Sequence, residues 1–245
     1  MEKLKCFVYS FKVFALCVLL GLIIALLCFF VYGERNSTST VFSEKSILSV
    51  IIDPGHGGKD GGASSKSGVL EKDLNLKMAI ALKNILKLCD VKVVMTREND
   101  SLACDENDSS LKGKVKATDL KNRVEFSVKN PDSLFVSIHM NKFSVEKYKG
   151  LQVYYSTNNK GSFSLAESIQ NNVVKLLQSD NNRKVKAASS NIYILNRIKI
   201  PAVLVECGFL SNNEETELLC NATYRCKLSL VLADSILTNL LNNLE

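Results

Sequence analysis

Tryptophan is absent from this chain, and only three prolines and two histidines occur among its 245 residues. With so little proline, chain reversals fall to glycine, asparagine and serine, and no proline-rich linker divides the molecule into modules. Eight cysteines are present, but no two stand in a C-x-x-C spacing, which removes zinc-ribbon and thioredoxin-type patterns. Cys6, Cys17 and Cys28 belong to the N-terminal segment and leave an odd five beyond it, so no disulfide framework is indicated. We expect most of those five, Cys89, Cys104, Cys207, Cys220 and Cys226, to be small buried hydrophobes with reduced thiols. The formal charge of +6 comes without a clustered basic face interleaved with aromatics. That argues against nucleic acid as a partner and suits an anionic surface.

One long apolar run is present. Val13 to Tyr32 holds twenty residues without a charge, enough as a helix to span roughly 30 Å. Lys3, Lys5 and Lys12 precede it, whereas Glu34 and Arg35 nearly cancel after it. The positive-inside rule then puts residues 1–12 in the cytoplasm, a membrane anchor or uncleaved signal at 13–32, and the remainder outside. Residues 33–46 are polar and rich in Ser and Thr, as a tether would be, and one domain is expected over 47–245.

Within that domain strand and helix patterns alternate. A buried strand at Val50 to Ile52 leads into a glycine-rich loop and then a helical stripe from Glu71 to Leu88. A second strand, Val91 to Met95, is followed by a polar excursion from Glu98 to Lys116, readable as a solvated insertion or as a lid or docking loop. Thr118 can cap a helix that stops before Asn130-Pro131. Further strands are expected at Leu134 to Ile138, Gly150 to Tyr155, Asn191 to Leu195 and Ala202 to Val205. Helices are expected at Leu165 to Leu177, after Ser211-Asn212-Asn213, and from Cys226 to Leu241. The alternation predicts an α/β domain with a mainly parallel central sheet and helices on both faces, without internal repeats.

The scarcity of histidine makes its placement informative. His56 sits in DPGHGGKDGG, and His139 in LFVSIHMN, each where an apolar strand runs out. Glu71 opens a helix, where its charge is favoured by the helix dipole, and Glu206 ends the apolar run PAVLVE. Ligands of open α/β sheets gather at the carboxyl ends of the strands, so these four groups can meet on one rim. Two imidazoles and one carboxylate are a zinc set that leaves a position open for water, and a second carboxylate is then the proton carrier. We assign Glu71 as third ligand and Glu206 as base, although spacing alone permits the exchange of the two. A salt-bridged strand end and a helix-start charge are the plainer readings of Glu206 and Glu71. Asp53 reads as a residue orienting a ligand histidine or as a simple turn residue, and Asn141 as a substrate contact or a loop cap. Arg97 and Arg123 are read as structural.

The runs DPGHGGKDGGASSKSGVLEKDLNL, TREND, DLKNRVEFSVKNPDSLFVSIHMN and IPAVLVECGFLSNNEE stand in one order over about residues 48–243. Together they resemble the zinc-dependent N-acetylmuramoyl-L-alanine amidases of the amidase-3 family. The resemblance implies His56, Glu71 and His139 as ligands of one zinc, Glu206 as the catalytic glutamate, and peptidoglycan as substrate, cut between the lactyl group of muramic acid and L-alanine. The anchor, the polar insertion and the lack of a wall-binding module resemble the germination-specific branch, which acts in forming muramic-δ-lactam in spore cortex. That implies a membrane-anchored domain in the intermembrane space of the forming spore. Met140 departs from the small residue many members have there, and the strand pleat is expected to point it away from the metal. The pocket loops contain much glycine and little to stiffen them, so metal occupancy is expected to depend on substrate or a protein activator. The alternatives are a vegetative wall amidase, a zinc peptidase of the same fold, and a wall-binding protein without catalysis.

Overall fold

The computed structural model describes residues 49–242 except Glu106, together with the isolated positions Val18 and Leu22. Apart from those two positions, the expected cytoplasmic N-terminus, membrane segment and tether lie outside the described residues. Among the described residues no helix is long and apolar enough to cross a membrane.

Among the described residues six strands form one sheet: β1 (Ser49–Pro54), β2 (Lys92–Met95), β3 (Ser133–Asn141), β4 (Gln152–Tyr155), β5 (Lys186–Ala187) and β6 (Ala202–Phe209), in the order β2-β1-β3-β6-β4-β5. The first four in that order run parallel, while β4 pairs antiparallel with β6 and carries β5 parallel to itself. The sheet is therefore mixed. Among the residues described from 49 onward, five α-helices accompany it: α1 (Glu71–Leu88), α2 (Val115–Lys129), α3 (Gly161–Leu176), α4 (Asn213–Cys220) and α5 (Ala222–Asn242).

The two-residue period of the strands sorts side chains onto two faces. Val50, Ile52, Val136, Ile138, Val203 and Val205 meet apolar residues of α1, α3 and α5 in the larger core. Ile51, Phe135, Ala202 and Leu204 face the other way, against α2 and the segment 188–200. Because β1, β3 and β6 are covered on both faces, their sequences read as continuous apolar runs.

Several boundaries differ from the sequence expectations. β3 and β6 extend past their apolar runs, so His139 and Glu206 lie within strands, paired directly with each other. α2 begins at Val115, and the Thr118 amide donates to Lys114 O, so Thr118 sits inside the first turn and caps nothing. Asn191 to Leu195 is not a strand. That segment turns back on itself through Ile192 N to Ser189 O and Asn196 N to Ile192 O, burying Ile194 and Leu195 on the sheet. Its apolar residues are satisfied by packing onto a face, and the edge pairing goes to Lys186–Ala187. Of the five cysteines, only Cys207 is buried, while Cys89, Cys220 and Cys226 are exposed on helix ends and outer faces.

Candidate metal centre and active site

β1 ends at Pro54, and the chain turns over the rim of the sheet with His56 in the left-handed region, at φ 61°. Two glycines make the approach feasible. A Cβ on Gly55 would lie 2.2 Å from the His139 ring, and one on Gly62, itself at φ 67°, would lie 2.5 Å from Glu71 Oε2.

His56, Glu71 and His139 converge, each offering a ligand atom within 4.8 Å of the others. The Glu71 carboxylate lies between the imidazoles, with Oε2 3.2 Å from His56 Nε2 and Oε1 2.9 Å from His139 Nδ1. It also accepts from the amides of Ala63, at 2.7 Å, and Met140, at 3.2 Å, and from Asn75 Nδ2 at 3.3 Å. Burial works against its charge, but the two imidazoles outweigh burial and hold it far below the usual carboxylate range. His56 is shifted the other way: burial disfavours its cation, and Glu71 and Asp60 more than offset this. Two borderline nitrogen donors and one buried, ionised carboxylate facing one another match the donor set of a zinc site.

Glu206 stands beside this cluster, opposite His139 across the β3–β6 pair. Although the residue is partly open to solvent, its Oε2 is buried and has no hydrogen-bond partner among the described residues. Burial, reinforced by the charge on Glu71 and partly countered by His139, pushes its carboxyl up to about 7. A carboxyl poised near neutrality beside two histidines is equipped to take up and release a proton.

Asp53 plays a different part from the one expected. It touches neither histidine by hydrogen bond; its carboxylate accepts from Thr96 Oγ1, Arg123 Nη1 and Ser137 Oγ at 2.6, 2.6 and 2.7 Å. The carboxylate beside a histidine of the cluster is Asp60, with Oδ2 3.0 Å from His56 Nδ1, off the line a ring N–H bond would take. Asn141 bonds Leu210 through its backbone and lines a cleft next to the cluster.

Arg97 and Arg123 are structural, as the sequence reading had them, and what they hold is the turn at the site. Arg123 donates to Pro54 O and His56 O, and Arg97 to Pro54 O and Gly55 O, so both clamp the turn that carries His56. Lys72 Nζ reaches Gly58 O, and Asp100 Oδ1 accepts from Gly58 N. The loop expected to lack stiffening is thus held from outside by α1, α2 and the residues after β2. The start of the polar excursion is accordingly a brace, while Ser109 to Lys114 is mostly exposed. Met140 points into the larger core, away from the ligand cluster.

Residues 50–238 match the family of N-acetylmuramoyl-L-alanine amidases. The chain belongs to this family. A germination-specific N-acetylmuramoyl-L-alanine amidase of Bacillus subtilis is 33% identical over 212 residues, which span 86% of this chain and 88% of that protein. The solved structure of the CwlD amidase from Clostridioides difficile, in complex with the GerS lipoprotein, aligns with a TM-score of 0.75 at 36% identity. That alignment covers 80% of this chain and 99% of the other. The amidase AmiC2 of Nostoc punctiforme aligns at 0.66 with 32% identity, over 79% of this chain and 97% of its own. The protein is therefore an amidase acting on peptidoglycan.

Proposed function

We propose that this amidase hydrolyses the N-acetylmuramoyl-L-alanine bond with one zinc ion held by His56, Glu71 and His139, and with Glu206 as the proton carrier. The observation that carries the reading is the buried, partnerless Glu206 Oε2 beside the His–Glu–His cluster. Zinc, when bound, supplies a Lewis acid that polarises the scissile carbonyl and makes water acidic near neutral pH. Glu206, with its carboxyl near 7, accepts a proton from the attacking water and returns it to the leaving nitrogen of L-alanine. Glu71 remains ionised throughout, fixed by the Ala63 and Met140 amides. Asn75 Nδ2 ties Glu71 to Gly55 O, keeping the ligand carboxylate in register with the glycine turn.

The cellular role belongs to the same proposal. The B. subtilis relative is germination-specific and the C. difficile neighbour is bound to a lipoprotein, which supports action on spore cortex with a protein activator. An anchor at 13–32 would hold the catalytic domain outside the cytoplasm, in the space between the membranes of the forming spore. Zinc content and release of intact stem peptides from purified peptidoglycan test the chemistry, using the full chain in detergent and its Glu206→Gln variant. Zinc retained with release reduced by a factor of about 10² or more is the expected outcome for the variant. Release at the unmodified level would remove Glu206 from its role.

A further inference from the structure

The sheet does not end at the catalytic pair. Across β6 from His139, β4 places Gln152 directly opposite Glu206, and Tyr154 follows on the same face. With Asn141, Tyr148, Phe209 and Arg183 they line a cleft of about 220 Å³, in which Gln152 is the residue paired across the strands with Glu206. The Tyr154 phenol is raised first by its burial and then by the charge of Glu206, so the cleft and the catalytic group share one electrostatic environment.

Arg183 is one of the two charged groups of this cleft, and it is held in place. Its Nε donates to Lys149 O at 2.8 Å and its Nη1 to Gln152 Oε1 at 3.1 Å. The guanidinium lies 4.4 Å from the Phe209 ring centroid and 5.8 Å from that of Tyr148, a stacked position that a lysine would not reproduce. Among the described residues no carboxylate forms an ion pair with Arg183, and its Nη2 makes no hydrogen bond. The buried acid that feels its charge, Glu215, already accepts from the Gly150 and Phe209 amides. If bracing the loops were its whole task, Nε and Nη1 would suffice. Lys186 stands at the mouth of the same cleft and adds a second positive charge.

The spacing identifies what this charge would meet. Gln152 and Glu206 are cross-strand neighbours with Cβ atoms about 5 Å apart, and Gln152 reaches Arg183 directly, which puts the guanidinium at most about 14 Å from the catalytic carboxylate. A peptide leaving through this cleft advances about 3.5 Å per residue from the scissile nitrogen. A carboxyl on the residue after L-alanine then falls about 7 Å along, on the path from the Glu206 carboxylate towards Nη2. We propose that Arg183, assisted by Lys186, binds the free carboxylate of the second residue of the stem peptide and makes the enzyme distinguish that acid from its amide. The inference rests on the reading of Glu206 and the His–Glu–His cluster as the hydrolytic centre.

The test uses the zinc-loaded full chain in detergent and two muramoyl tripeptides that differ only in the second residue, a γ-linked D-glutamate whose α-carboxyl is free or amidated. A charge-assisted bond of this kind predicts a KM at least about tenfold lower for the free acid. In Arg183→Gln the ratio of the two KM values falls to within about twofold of one, and in Lys186→Gln it shrinks less. A purely structural role would weaken both substrates alike and leave the ratio intact, which overturns the proposal, as does an unmodified chain that treats acid and amide equally. Should the unmodified chain cleave neither, the hydrolytic reading fails separately. Calorimetric binding of the two tripeptides to the Glu206→Gln chain then decides the subsite: tenfold preference for the acid supports it, and equal affinity overturns it.

Discussion

Arg123→Met removes the cation from a site that has no water to replace it. Arg123 is 1% exposed, and the carboxylates it pairs with, Asp53 and Asp119, are 0% and 4% exposed. Its contacts are short: 2.6 Å to Asp53 Oδ1, 2.8 Å to Asp119 Oδ2, 2.8 Å to Pro54 O and 2.7 Å to His56 O. Methionine fills most of the volume but leaves two buried carboxylates without a counter-ion, a change that costs about 3–5 kcal/mol. For a domain of this size that corresponds to about 6–20 °C in Tm. The acid side of the stability profile should change as well. Burial alone would raise the Asp53 carboxyl, but Arg123, Thr96 and Ser137 outweigh burial and hold it below its ordinary value. A carboxyl lowered by folding contributes stability that is complete above about pH 4 and is lost as pH falls through the lower folded value. Arg123→Met should flatten that acid-side loss. Urea denaturation of both chains from about pH 3 to pH 7 measures the two effects together. A destabilisation below about 1 kcal/mol, or an unaltered acid limb, would refute the reasoning.

Other perturbations address the turn and the ligands. Gly62→Ala brings a Cβ to 2.5 Å from Glu71 Oε2 and 2.7 Å from His56 Cδ2 at a positive φ, so zinc affinity should fall at least about tenfold in a chelator competition; unchanged affinity would mean that the ligands are less tightly caged than the distances indicate. Asp100→Ala removes an exposed partner of Gly58 N and Lys72 Nζ, and should speed amide exchange at Gly58 several-fold while changing stability by less than about 1 kcal/mol. Stripping zinc with excess chelator should lower the melting temperature, by about 4 kcal/mol of stability if the ion had been present at a thousand times its Kd, and zinc added back should restore it. A melt indifferent to both steps would oppose a metal held by the folded state.

Much of the site was legible because its chemistry is carried by rare residues. Two histidines in the whole chain, both near the ends of apolar runs, leave few ways to build a ligand set, and Glu206 interrupts an apolar run in which an unpaired carboxylate is costly, while Glu71 stands at a helix start. The braces were less legible. Arg123 lies on an amphipathic helix, 70 residues from Asp53, and Arg97 follows a strand; neither position distinguishes a surface cation from one buried under a turn. The misplaced fifth strand has a related cause. Ile192, Ile194 and Leu195 satisfy a strand pattern locally, but packing onto the sheet beside Phe135 and Leu204 buries them without edge hydrogen bonds. Gln152 and Arg183 gave no local signal at all, since their relation to Glu206 depends on β4 running antiparallel to β6.

By itself the sequence determined the α/β class, the parallel strands that are buried on both faces, and four candidate residues, His56, Glu71, His139 and Glu206, that the fold brings together. Each is written in local terms: a run of apolar residues, a two-residue period, or a histidine or glutamate where that run stops. Tertiary structure alone decided that Asp53 serves Arg123 and not a histidine, that two arginines hold the glycine turn, and that β4 joins β6 antiparallel, setting Gln152 and its cleft against the strand that carries Glu206. Those features depend on which distant groups share a low-dielectric space and on which edge of the sheet a strand joins. Neither is encoded in the spacing of neighbours along the chain; both follow from the packing that the whole chain adopts.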